Sequence, residues 1–204
     1  NEITILFQPR RPSMSQDAIS FLRDDPDIGH LVADHGDVTL EPAEDLFERL
    51  VVSILRQQVS MASANATRER LEDAVELTPT ALLRTDRSTL RDLGLSRQKA
   101  SYVHNVAEAF VEHDYSREYF AETSDDAVIA ELTDINGVGP WTAKMQLLFS
   151  LGRPDVFPVE DLGIRKGMHT LYGDDLERSR MEEISERWRP YRSYASLYLW
   201  RAVD

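Results

Sequence analysis

Two glycines and an aspartate are the residues of this sequence whose types and spacing point most directly to chemistry. Gly137 and Gly139 stand two residues apart in Leu132–Leu148, LTDINGVGPWTAKMQLL, between apolar helical runs. Such a turn requires a positive φ, or a backbone bare enough for something to press against it, and glycine supplies both cheaply. The pair opens a helix, so its free N–H groups and the helix dipole favour an anion there. Trp141 follows Pro140 at once, and a large aromatic at a helix start needs a pocket or a ligand. Asp161 lies twenty residues beyond Trp141, in DVFPVEDLGIRKG, with Glu160 beside it. Its default role is a helix N-cap. A carboxylate at a helix N-terminus is also stabilised as the anion, which suits a centre that develops positive charge. Lys144, three residues past Trp141, is either a nucleophilic amine or a solvated charge. The histidines at 30, 35, 104, 113 and 169 show no metal-ligand spacing, and no nucleotide-binding glycine loop is present.

The elements that must hold these groups read as nearly all helix. Helices are expected over 14–24 and 27–35, then over 45–60, where Leu46, Leu50 and Ile54 with Phe47, Val51 and Leu55 make a wide apolar stripe typical of a central helix. Further helices are expected over 61–74, 79–84 with proline at its first position, 88–93 ending at Gly94, and 97–112 capped by Ser96. Segments 125–132 and 141–150 flank the glycine turn, and 161–172, 174–189 and 193–203 close the chain. Glu2–Phe7 is the one segment with a hint of strand alternation.

Composition bounds the partners. The 204 residues suffice for one large domain or two small subdomains. No apolar run approaches membrane-spanning length, and the first residues lack a secretory leader pattern, so a cytoplasmic, prokaryotic protein is expected. The absence of cysteine excludes disulfides, thiolate metal sites and a cysteine-ligated iron–sulfur cluster. The formal net charge is −13, from 36 acidic and 23 basic residues, with lysine only at 99, 144 and 166. An acidic, lysine-poor surface is what a halophile would favour; the competing reading is a protein that avoids nucleic acid.

Taken together, the I-N-G-V-G-P-W turn, the F-P-V-E-D loop and the closing WRPYRSYASLYLW resemble the HhH-GPD superfamily of DNA glycosylases, the AlkA-type 3-methyladenine branch in particular. The resemblance spans roughly residues 40–204 and implies a short form without the extra N-terminal domain of the longer members. It implies an all-α fold of two helical subdomains with the active site between them. Residues 52–145 would form the middle bundle, and 1–51 with 146–204 the second. It implies that the N–H groups of Gly137, Gly139 and Thr142 hold a DNA phosphate. The carbonyls of Thr133, Ile135 and Val138 would hold a monovalent cation. Asp161 would be the catalytic carboxylate, and Trp141, Met145 and Trp200 would bound the pocket for the damaged base. I-L-R-Q-Q-V-S, residues 54–60, is similar to the family's L-x-Q-Q-x-S element, which makes Gln58 the residue that fills the gap left by a flipped base and Gln57 a contact to the opposite strand. L-G-L-S-R-Q-K-A, residues 93–100, would structure the cleft wall.

Bifunctional members carry a lysine where this chain has Trp141, so the resemblance implies a monofunctional enzyme that uses water. It would release 3-methyladenine, 7-methylguanine and, as a further substrate, hypoxanthine from double-stranded DNA, as a monomer and without a cofactor. The rivals are a non-catalytic helix-hairpin-helix DNA-binding protein, a glycosylase for other lesions, and a glycosylase-lyase using Lys144.

Overall fold

The computed structural model describes residues 14–203, so Glu2–Phe7 lies outside the described residues. Those residues form helices and connecting turns, with no strand among them. The helices are α1 (Met14–Arg23), α2 (Gly29–His35), α3 (Leu46–Arg56), α4 (Met61–Ala74), α5 (Pro79–Arg84) and α6 (Arg87–Asp92). They continue with α7 (Arg97–His113), α8 (Asp125–Thr133), α9 (Pro140–Phe149), α10 (Leu162–Tyr172), α11 (Arg178–Ser185) and α12 (Arg192–Arg201).

Side-chain caps start many of them. Asp45, Ser60, Thr78, Ser96, Ser124 and Asp161 each accept a backbone N–H three residues on, which satisfies a donor the helix itself cannot. The apolar stripe of α3 makes it central: Leu50, Val51, Ile54 and Leu55 are buried, and α3 packs on α4, α7 and α9. Burying each such side chain contributes about 1.5–3 kcal/mol.

Two segments differ from the periodicity. The helix expected over 45–60 stops at Arg56, because Gln57 turns to an extended ψ of 126° and Gln58 takes a φ of 56°; Ser60 then caps α4. The helix expected over 174–189 runs only from Arg178 to Ser185, followed by a 3-10 turn over Glu186–Trp188.

Burial divides the chain into two cores. The first gathers apolar side chains between Leu46 and Val156, so it reaches beyond residues 52–145 at both ends: the first turns of α3 and the last of α9 pack in it. The second joins Ala18–Val38 to Phe157–Leu199 around Trp188 and Tyr198. Leu40 and Trp200 pack against both. The chain crosses from one core to the other at Val156–Phe157, just before Asp161.

Candidate active site

The glycine turn between α8 and α9 is held open-handed. Val138 N–H closes it on the Ile135 carbonyl at 2.9 Å. Among the described residues, no carbonyl accepts from the N–H groups of Gly137, Gly139 or Thr142, at the N-terminus of α9. Gly137 has a φ of 111°, and a Cβ there would lie 2.2 Å from the Tyr102 ring. Gly139 is different: its φ is −97°, and nothing lies within 4 Å of where a Cβ would stand. The first glycine therefore serves the backbone and its packing, while the second keeps a surface bare.

Two amides brace the turn from outside. Gln57 Nε2 donates to the Gly137 carbonyl at 3.1 Å and lies 3.4 Å from Thr142 Oγ1; Asn105 Nδ2 donates to the Asn136 carbonyl at 2.9 Å. Gln57, expected at the opposite DNA strand, thus has a structural task in addition to lining the cleft. Lys99, in the L-G-L-S-R-Q-K-A element, donates from Nζ to the Leu55 carbonyl at 2.7 Å, fixing the last turn of α3 from which Gln57 and Gln58 project. Burial pushes the Lys99 ammonium below the usual lysine range.

Asp161 caps α10 and does more than cap. Its Oδ1 accepts from Ile164 N–H at 3.1 Å and from Trp200 Nε1 at 2.8 Å, and its Oδ2 accepts from Trp141 Nε1 at 2.8 Å. Two indoles, one from each end of the C-terminal half, therefore grip one carboxylate. A buried indole N–H needs an acceptor, and an acceptor-only carboxylate has room for several donors. Trp200 can approach this closely because α10 has no side chain at Gly163 or Gly167, one turn apart. A Cβ on Gly163 would meet Trp200 Cδ1 at 2.6 Å, and one on Gly167 would meet the Leu199 carbonyl at 2.6 Å.

Asp161, Trp141, Glu160 and the turn open on one cleft of about 1070 Å³, which Arg56, Gln57, Gln58 and Tyr102 also line. Its mouth is apolar: Val59, Met61 and Leu162 line it at 44, 56 and 58% exposure. This is a helix-hairpin-helix turn and an indole-held aspartate opening on one cavity large enough for a base. A family model for HhH-GPD superfamily base excision DNA repair proteins matches residues 51–190. The chain is 33% identical over 162 residues to the DNA-3-methyladenine glycosylase 1 of Schizosaccharomyces pombe, covering 76% of this chain and 71% of that one.

The chain belongs to the HhH-GPD superfamily of base excision DNA repair proteins.

Solved structures agree. The Schizosaccharomyces pombe 3-methyladenine DNA glycosylase in complex with abasic DNA superposes with a TM-score of 0.83 at 29% identity, covering 91% of this chain and 95% of that one. A DNA-3-methyladenine glycosidase from Bacillus halodurans gives 0.73 at 33% identity, covering 88% and 89%. A Bacillus subtilis relative, 31% identical over 188 residues, is longer, and this chain spans 66% of it.

The site of this glycosylase departs from expectation in three places. Met145, expected in the base pocket, is 5% exposed and packs in the first core, because α9 turns that face toward α3. Trp200 is not among the residues lining the cleft; its indole stands behind Asp161, 5.7 Å from the Phe149 ring. Lys144 does not line the cleft, and its Nζ is ion-paired, 2.9 and 3.0 Å from the two Glu160 carboxylate oxygens. Tyr102, Arg56, Val59, Met61 and Leu162 line the cleft without having been singled out in the sequence. The only sequence signal for them was apolar residues at 59, 61 and 162 beside turns, where a solvated loop would carry polar ones. Among the described residues no helix is long and apolar enough to cross a membrane.

Proposed function

We propose that the protein is a monofunctional DNA glycosylase that hydrolyses the N-glycosidic bond of alkylated purines, 3-methyladenine and 7-methylguanine, extruded from duplex DNA. The observation that carries this reading is the Asp161 carboxylate, held at 2.8 Å by both Trp141 and Trp200 and opening on the same cleft as the bare hairpin.

The N–H groups of Gly137, Gly139 and Thr142 bind a phosphate without reading sequence. The carbonyls of Thr133 and Val138 take no donor among the described residues, and that of Ile135 takes one, so all three retain lone pairs for a monovalent cation. That cation would supply positive charge beside the phosphate. Gln58, exposed and held at a φ of 56°, fills the stack left by the extruded nucleotide. A non-glycine residue in that region costs about 1–2 kcal/mol, which argues for a placed side chain. Val59, Met61 and Leu162 wedge against the splayed sugars and bases.

The damaged purine enters beside Trp141. As the bond between C1′ and the purine nitrogen breaks, the electron pair leaves with the base and positive charge develops on the sugar. Asp161 stabilises that charge from a fixed position, so no reorganisation is needed at the transition state. Water then adds to C1′ and loses a proton. A cationic methylated purine is already a good leaving group and needs no strong general acid.

Asp161→Asn tests this against a purely DNA-binding role. Release of 3-methyladenine from a methylated duplex should fall by about 10²–10³-fold or more, with duplex affinity kept. Equal release by the variant would remove Asp161 from the chemistry, and binding without release by the unaltered protein would make it a non-catalytic hairpin protein.

A further inference from the structure

Trp141 and Lys144 stand three residues apart on α9 and so share a face of it. They reach two successive carboxylates. Trp141 Nε1 donates to Asp161 Oδ2 at 2.8 Å, and Lys144 Nζ donates to both oxygens of Glu160 at 2.9 and 3.0 Å. The ion pair is sheltered, with 18% of the Lys144 side chain and 30% of the Glu160 side chain exposed. Glu160 lines the cleft beside Asp161. Lys144 lines a separate hollow of about 470 Å³ with Asp125 and Asp155, and Asp155 is already answered there by Arg189 and Arg192. The other ionisable groups of the cleft are Arg56 from α3 and Tyr102 from α7. From α10, Arg165 donates to the Glu160 backbone carbonyl at 2.7 Å, and the Asp161 N–H closes on the Pro158 carbonyl at 2.9 Å. The backbone of this loop is therefore held without Lys144, and what the lysine adds is charge.

A second carboxylate next to Asp161 is a liability. Like charges on neighbouring residues oppose each other, and the opposition is relieved when one of them takes a proton. A protonated Asp161 could not stabilise positive charge on the sugar. Trp141 and Trp200 give Asp161 hydrogen bonds and no charge, whereas Glu160 receives a full counter-charge. Resting on the glycosylase reading above, we infer that Lys144 is a positioning residue that cancels the charge of Glu160, so that Asp161 presents the one uncompensated negative charge of the cleft. The sign follows in both directions. Removing Lys144 leaves two negative charges side by side, and removing the Glu160 charge strands a positive one beside Asp161.

The indole N–H resonances of Trp141 and Trp200 report the protonation of Asp161 without DNA, with Trp188 of the second core as the control. They are followed against pH in the unaltered chain, Lys144→Met, Glu160→Gln and the double variant, with circular dichroism to establish folding. The midpoint should move up by about half a unit to one unit in Lys144→Met. It should move down in Glu160→Gln and return close to its original place in the double variant. The acid limb of single-turnover 3-methyladenine release should move in parallel, so that release on that limb falls about 3- to 10-fold in Lys144→Met. Midpoints unmoved in both single variants overturn the inference. So does a loss of release in Lys144→Met that adding Glu160→Gln fails to reverse, which would make the pair a brace for the loop. Midpoints that shift as expected in a chain that releases no base uphold the role of Lys144 and refute the glycosylase reading instead.

Discussion

Adding one methyl group at Gly163 should disable the carboxylate grip, because a Cβ there crowds Trp200 and also stands 3.1 Å from Asp161 Oδ1. A Cβ there would stand 2.6 Å from Trp200 Cδ1 and 2.9 Å from Nε1. Carbon atoms in contact sit about 3.5–4.0 Å apart, so the indole must retreat by roughly 1 Å. The Trp200–Asp161 bond, 2.8 Å long, would then exceed the reach of a hydrogen bond. Losing a hydrogen bond to a charged group costs about 1.5–3 kcal/mol, which corresponds to about 10- to 100-fold in rate if the whole contribution is felt in the transition state. The bond from Trp141 to the other oxygen survives, so the lower part of that range is expected. Overpacking also costs stability, about 1–3 kcal/mol. The assay is therefore release of 3-methyladenine with enzyme in saturating excess, beside a melting curve and the indole N–H resonance of Trp200. In a Trp200→Phe background, where the hydrogen bond is already gone, Gly163→Ala should add only what its Cβ costs by crowding Asp161 Oδ1 at 3.1 Å. A Gly163→Ala protein with a displaced Trp200 resonance and an undiminished rate would refute the idea that the second indole matters to Asp161.

The hairpin glycines should separate cleanly. Gly137→Ala forces a side chain into a φ of 111° and against the body of the Tyr102 ring, so stability should fall by about 1–3 kcal/mol, read by urea unfolding. Gly139→Ala meets nothing in the protein and should leave stability within about 0.5 kcal/mol while weakening duplex binding; undiminished affinity would take Gly139 out of the DNA surface. Acid stability has a smaller lever at Asp27, whose hydrogen bond from Arg187, with a second from Tyr172, holds its carboxyl below the usual range against the opposing effect of burial. A depressed carboxylate contributes above its unfolded pKa, and the contribution fades as pH falls through the folded value. Asp27→Asn should therefore cost under about 1 kcal/mol at neutral pH, after screening of this half-exposed pair, and flatten the fall of melting temperature below about pH 4; an unchanged profile would show that the pair contributes nothing.

Much of the architecture was legible because helices report themselves locally. Ser96, Thr78-Pro79 and Ser124 mark starts, Gly94 marks a stop, and the stripe along α3 gives its buried face, each from residues within a turn or two of one another. Local rules give way where they meet a distant demand. The stripe of α3 runs on toward Ser60, yet the helix ends at Arg56 because Gln57 is drawn to the hairpin carbonyl of Gly137 and Gln58 takes a left-handed φ. Met145 shares a helix with Trp141, but periodicity does not say which partner each face meets, and α3 took that one.

The glycine turn and the aspartate twenty residues past Trp141 are properties of the chain alone, and they limited the protein to a hairpin-bearing, all-helical class. The grip on Asp161 was decided elsewhere. Its donors lie 20 and 39 residues away in sequence, on either side of the crossing between two cores, and they converge because Gly163 and Gly167 let α12 settle onto α10. The same holds for Lys144, whose type is written in the sequence but whose pairing with Glu160 is not. Hydrogen-bond partners across helices depend on packing angles and contact distances of a few tenths of an ångström, and those are fixed only when both cores close together.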